Sequence, residues 1–280
     1  IPYQAEVLKN INVSLRKKIS QQILRGAGDS NTFTGIFDGN GHTISGLNIT
    51  KNKAGGKTFL GLFSTLGSVA NVSGEANYAT VRNLTLVGSV NGGKDIGGLA
   101  AFVRSPAIIE NCNINVNVTS NNSGVGGVVG RWGTANAGNT TKLSKITNVN
   151  YNGAVKSTFD NPNIAGIVGW WDQAYPLEVK NCSVSGSVTS PGRAAGVIGL
   201  IDSVTTVSID NTDVFANINS SKANNGGFVG FVSTGATVNL SNSDFLGTLT
   251  ATGDTNNGGF FGGVSNGIIN ITNCDNKGSV

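Results

Sequence analysis

Seven times between residues 81 and 274 an apolar residue, a polar residue and an asparagine stand in a row, followed by a small or apolar residue. The stretches read VRNL (81–84), IENC (109–112), ITNV (146–149), VKNC (179–182), IDNT (209–212), LSNS (240–243) and ITNC (271–274). Their asparagines are Asn83, Asn111, Asn148, Asn181, Asn211, Asn242 and Asn273, spaced 28, 37, 33, 30, 31 and 31 residues apart. Self-similarity at such a period is the mark of a solenoid, in which a repeat buries its apolar side only by stacking on its neighbours.

Aligning the chain on these asparagines shows which side chains share a side. Two residues before them stand Val81, Ile109, Ile146, Val179, Ile209, Leu240 and Ile271. Three after them stand Leu86, Ile114, Tyr151, Val184, Val214, Phe245 and Asn276, and seven after them Val90, Val118, Val155, Val188, Ile218, Leu249 and Val280. Polar residues alternate with these columns at period two, the spacing of a strand with one apolar face. A Leu-rich horseshoe needs leucines at offsets that are missing here, and an antiparallel sandwich would not hold register every 30 residues. The pattern therefore predicts a right-handed parallel β-helix of about eight coils over residues 32–280, with residues 1–31 as an N-terminal cap or lead-in. Stacked asparagines in the left-handed conformation would bond from coil to coil as a structural ladder.

Composition agrees. The 280 residues include 41 Gly and 37 Asn but only 12% charged residues, the balance of an ordered chain with many turns and short strands. The net charge of +4 has no basic stripe interleaved with aromatics, which argues against nucleic-acid binding. No apolar stretch reaches the ~20 residues of a membrane span. Cys112, Cys182 and Cys274 make neither a disulfide framework nor paired zinc ligands and read as small core residues.

Between the asparagines a second pattern recurs: IGGLAAF, VGGVVGR, IAGIVGW, AAGVIGL, NGGFVGF and NGGFFGG, beginning at 96, 125, 164, 194, 225 and 257. The run TFTGIFDGNGHTISGLNI (32–49), followed by FLGLFS (59–64) and these glycine repeats, resembles the GLUG-repeat family. That family comprises β-helical segments of bacterial surface proteins, also found upstream of the catalytic part of some immunoglobulin-A-cleaving zinc peptidases. The resemblance covers residues 32–280 and implies a secreted or surface-attached setting with a binding or spacer role.

Catalytic constellations are missing. His42 is the one histidine, so there is no HExxH zinc motif and no histidine-activated serine. Asp38 and His42 fall in Asp-Gly-Asn-Gly-His, which is better explained as a tight bend. Glu6, Glu75, Glu110 and Glu178 sit in unrelated columns, unlike the paired acids of a glycosidase. Two other groupings are candidate sites. Asp213, Asp244 and Asp275 form one acidic column, where a Ca²⁺ ion would relieve like-charge repulsion. After each glycine pair two apolar residues follow, and strict alternation sends the second outward. Val129, Val168, Ile198, Val229 and Phe261, with Trp170, Leu200 and Phe231 two positions further on, would then form an outward apolar binding face, unless residues 1–31 or the loop 133–143 cover it.

These readings together describe a non-catalytic extracellular or cell-surface module. It would act in adhesion, in binding a protein or glycan, or as a spacer, with self-association as a further possibility for the open last coil. The alternatives are a structural subunit of an extracellular filament or wall, and a β-helix lyase or glycosidase. The seventh asparagine coil ends at Val280 before its glycine strand, so the natural protein is expected to continue beyond it.

Overall fold

The computed structural model describes residues 32–51, 57–67, 78–133, 142–233, 235–253 and 255–280. The expected cap over 1–31, and residues 134–141 of the loop thought to cover the apolar face, lie outside them. The described residues form a parallel β-solenoid with three sheets. One coil serves to trace the path. The long strand Ala107–Ser120 belongs to the first sheet, Val125–Gly126 to the second and Val129–Gly133 to the third, before the chain returns to the first sheet at Ser144–Ser157. Eight strands follow one another along the first sheet, and seven stand in each of the others. Among the described residues no helix is long and apolar enough to cross a membrane.

The register is the one read from the asparagine columns. Val81 pairs with Ile109, Ile109 with Ile146, Ile146 with Val179, Val179 with Ile209, and Ile209 with Leu240. Leu86, Ile114, Tyr151, Val184 and Val214 stack likewise, and all of these residues are buried in one core. The 37-residue interval between Asn111 and Asn148 does not disturb the register, since Ile109 pairs with Ile146 and Ile114 with Tyr151.

Each asparagine of the ladder makes a one-residue bend. Its φ lies between 47° and 54° at all seven positions, the left-handed region that asparagine tolerates better than most residues. The side-chain amides then bond between coils: Asn111 Nδ2 donates to Asn83 Oδ1 at 3.2 Å, Asn148 to Asn111 at 2.9 Å, Asn211 to Asn181 at 2.8 Å and Asn273 to Asn242 at 2.7 Å. A second ladder joins Asn224 to Asn256 and Asn225 to Asn257, at the entry to the glycine repeats.

The residue after each ladder asparagine accounts for the cysteines. Cys112 Sγ lies 3.2 Å from the Glu110 carbonyl and Cys182 Sγ 3.2 Å from that of Lys180. Thr212 Oγ1 makes the same bond to Asp210 O, Ser243 Oγ to Ser241 O, and Cys274 Sγ to Thr272 O. Cys, Thr and Ser at this position each supply a donor that reaches the carbonyl just before the bend, while Leu84 and Val149 fill it without one. Burial pushes the thiols of Cys112 and Cys182 up to about 11, so neither forms the reactive thiolate near neutral pH. Ellman's reagent at pH 8 is expected to titrate about one thiol, the partly exposed Cys274, in the native protein and all three after denaturation. Fast labelling of Cys112 or Cys182 in the native state would contradict their burial.

The glycine repeats form the corner between the second and third sheets. Gly98, Gly127, Gly166, Gly196 and Gly227 occupy one column, each pressed against the carbonyl of the corresponding glycine in the next coil. A Cβ on Gly98 would lie 2.3 Å from Gly127 O, one on Gly127 2.2 Å from Gly166 O, and one on Gly227 1.9 Å from Gly259 O. On the core side the same added carbons would meet Val116, Tyr151 and Phe245. Only a residue without a side chain fits between the next backbone and the core.

Candidate functional site

The residues of the expected apolar face are not exposed. Val129, Val168, Ile198 and Val229 are fully buried in the same core as Val81 and Ile109, and Phe261 packs on it from the last coil. A Cβ on Gly130 would lie 2.5 Å from the Ile96 backbone, and one on Gly169 2.5 Å from that of Val125, so these glycines face the second sheet. Trp132 and Trp171, three residues after Val129 and Val168, are core residues again, with ring centroids 5.2 Å apart. Trp170, Leu200 and Phe231 make up the second expected column, two residues after the valines and isoleucine, and they stack from coil to coil.

That second column is a cation–aromatic strip. The Arg131 guanidinium lies 4.0 Å from the Trp170 ring and forms a 2.6 Å ion pair with Asp172. Lys94 stands 5.6 Å from Trp170, Arg104 5.4 Å from Phe102 and Arg193 5.3 Å from Phe231. Trp170 and Phe231 are half-buried and Leu200 is only 6% exposed. The cations cover the rings, which makes this a packed seam rather than an open apolar surface.

The acidic column is likewise occupied with structure. Asp213 Oδ1 accepts the Asp244 amide at 3.0 Å, and Asp244 Oδ1 accepts the Asp275 amide at 3.0 Å. Lys277 pairs with Asp244 at 2.6 Å and with Asp275 at 3.1 Å. Earlier coils use the same position in the same way: Asn150 donates to Asn113, and Ser183 to Asn150. Among the described residues no three His, Cys, Asp or Glu side chains are grouped as a metal site. The column expected to hold Ca²⁺ is a hydrogen-bonded ladder whose repulsion Lys277 relieves.

Asp38 begins the first ladder. Its carboxylate accepts the Asn83 amide at 3.0 Å, the Asn40 backbone N–H at 2.9 Å and Arg82 Nε at 2.8 Å, while His42 is exposed. These donors, Asn83 foremost, hold the Asp38 carboxyl below its ordinary value, and Asn242, Lys180 and Ser241 do the same to Asp210. A carboxyl depressed on folding contributes stability above its unfolded pKa of about 3.9 and loses it as pH falls through the folded value. The melting temperature is therefore expected to drop as pH goes below about 4. The Asp38→Asn, Asp210→Asn double variant, which keeps one acceptor oxygen at each position without the charge, should show a shallower drop. Identical acid profiles for the two proteins would show that these carboxylates do not carry the effect.

One open feature lies where the first sheet turns toward the second. A groove of about 370 Å³ crosses four successive coils and is lined by Thr158, Thr189, Pro191, Ser221, Thr250 and Thr252 together with Asn219 and the inner serines. The inner hydroxyls are taken: Ser157 donates to Asn122 O at 2.8 Å, Ser220 donates to Gly192 O at 3.0 Å, and Ser190 accepts the Gly192 amide at 3.0 Å. Nothing at the sequence level singled this groove out. Its only trace is the serine that ends the long strand at Ser120, Ser157, Ser190 and Ser220, inconspicuous in so polar a chain.

Among known proteins the chain is similar to Halomucin of Haloquadratum walsbyi (strain DSM 16790 / HBSQ001), at 33% identity over 159 residues. The match takes in 52% of this chain, which spans about 2% of Halomucin's length. No family model matches, so the GLUG resemblance rests on its motifs, and no solved structure matches.

Proposed function

We propose that the chain is a non-catalytic module of a cell-surface protein, a stiff rod that presents a binding surface or sets a spacing. What carries this reading is where its acidic groups are engaged. Asp38, Asp210, Asp213 and Asp244 each accept hydrogen bonds that join one coil to the next. Carboxylates held in that way serve the ladder and are poorly placed to act as acid and base on a substrate. Parallel pairing along all three sheets gives the rod its stiffness. An extracellular setting is supported by the likeness to a protein named as a mucin and by the GLUG-like motifs. Antibodies raised against residues 32–280 test the reading on cells of the source organism. They are expected to label intact cells and to lose their target after brief external proteolysis. Labelling only after permeabilisation would remove the surface assignment.

A further inference from the structure

The groove across the turns is the open site whose chemistry is most uniform. Its outer positions are Thr158, Thr189, Asn219, Ser221, Thr250 and Thr252, and none of these side chains is hydrogen-bonded among the described residues. Three of them belong to one column, since Thr189 pairs with Asn219 and Asn219 with Thr250. The groove thus offers a similar set of groups at each successive coil, about 4.8 Å apart along the rod. Hydroxyl and amide groups that both donate and accept, repeated along a line, suit a ligand that also carries repeated groups of both kinds.

Charge and backbone narrow the choice. The lining has no ionised side chain; Lys156 stands outside it, at the Thr189 position one coil earlier. At one end Lys222 is paired with Asp160. An anionic polymer would find no unpaired cation within the groove. An extended peptide would need free backbone groups to add to a strand, and here they are spent between coils. Thr158 N donates to Ser120 O at 3.0 Å, Ser221 N to Ser190 O at 3.2 Å and Thr252 N to Ser220 O at 3.0 Å. Apolar surface comes from the threonine methyls and Pro191.

We infer that this groove binds a neutral polysaccharide whose chain lies along the solenoid axis. The inference deepens the reading of the chain as a surface binding module by naming the ligand class, and it rests on that reading. Affinity electrophoresis of the 280-residue chain tests it, in native gels cast with laminarin, mannan, xylan or dextran and, for comparison, polygalacturonate or gelatin. Retardation is expected in at least one of the four neutral gels. The Thr189→Val, Thr250→Val double variant keeps the strand propensity and the outward shape, and should bind that polysaccharide about tenfold more weakly. The thermal melt of the double variant should be unchanged. Migration unaffected by all four neutral polysaccharides would overturn the proposal. So would retardation by polygalacturonate or gelatin alone, which would point to the cationic seam or to polypeptide capture. Undiminished binding by the double variant would place the site elsewhere. None of these outcomes bears on whether antibodies reach the module on intact cells, so the two readings fail separately.

Discussion

Gly227→Ala is expected to lower the unfolding free energy by at least about 3 kcal/mol, the upper end of what overpacking usually costs. The added carbon would lie 1.9 Å from Gly259 O in the next coil and 2.6 Å from the Phe245 ring on the core side. Neither neighbour is the free end of a flexible side chain. The carbonyl belongs to the sheet that joins the coils, and Phe245 is fully buried. Gly35→Ala is the companion measurement, because its nearest neighbour is the Phe33 ring at 3.7 Å, and a change within about 0.5 kcal/mol is expected. Denaturant midpoints for the two variants decide the matter. Equal, small shifts would mean that the corner is loose enough to admit a methyl group and that its five stacked glycines have another cause.

Ile209→Ala is the second large effect, at about 2–4 kcal/mol, the range for deleting a buried aliphatic side chain whose surroundings cannot collapse. Ile209 is fully buried, with Val179 below it and Leu240 above. The outward residues on either side provide the contrast. Lys180→Ala should stay within about 0.5 kcal/mol, as its bond to Asp210 is a surface ion pair. Asp210 differs from what outward position alone predicts, because its Oδ1 accepts both Ser241 Oγ at 2.9 Å and Asn242 Nδ2 at 2.8 Å. Asp210→Ala should therefore cost about 1 kcal/mol. An alanine at 209 that cost less than one at 180 would mean that the two faces of this strand are exchanged.

The first sheet was legible in the sequence because its signals are side chains. Asparagine at a left-handed bend and aliphatics at fixed offsets recur often enough to set the register residue by residue, across intervals from 28 to 37. The glycine corner was legible only as a repeat. Its geometry depends on the close approach of one backbone to another, and a residue with no side chain carries no pattern of facing. Applying period two through that corner placed Val129 and Val168 on an exposed face, and both are fully buried. The acidic column was found by alignment, but its partners were not: the donors are backbone amides of the next coil and a lysine two residues beyond the last aspartate. Single positions cannot reveal a bond whose other half is the main chain.

The ladder asparagines also have a bearing on how such a rod changes length. Asn181, Asn211 and Asn242 stand 30 and 31 residues apart, and each presents the same bend and the same facing columns to the coil above and below. Excising or duplicating the segment between two of them joins like to like: Val179 would meet Leu240 as Ile209 does now, and the serine or threonine after the bend would find its carbonyl unchanged. Interactions confined to nearest neighbours make the coil a unit of inheritance as well as of folding. The length of the rod can then be adjusted in steps of about 4.8 Å by unequal recombination within the gene, with no new packing problem to solve at either junction.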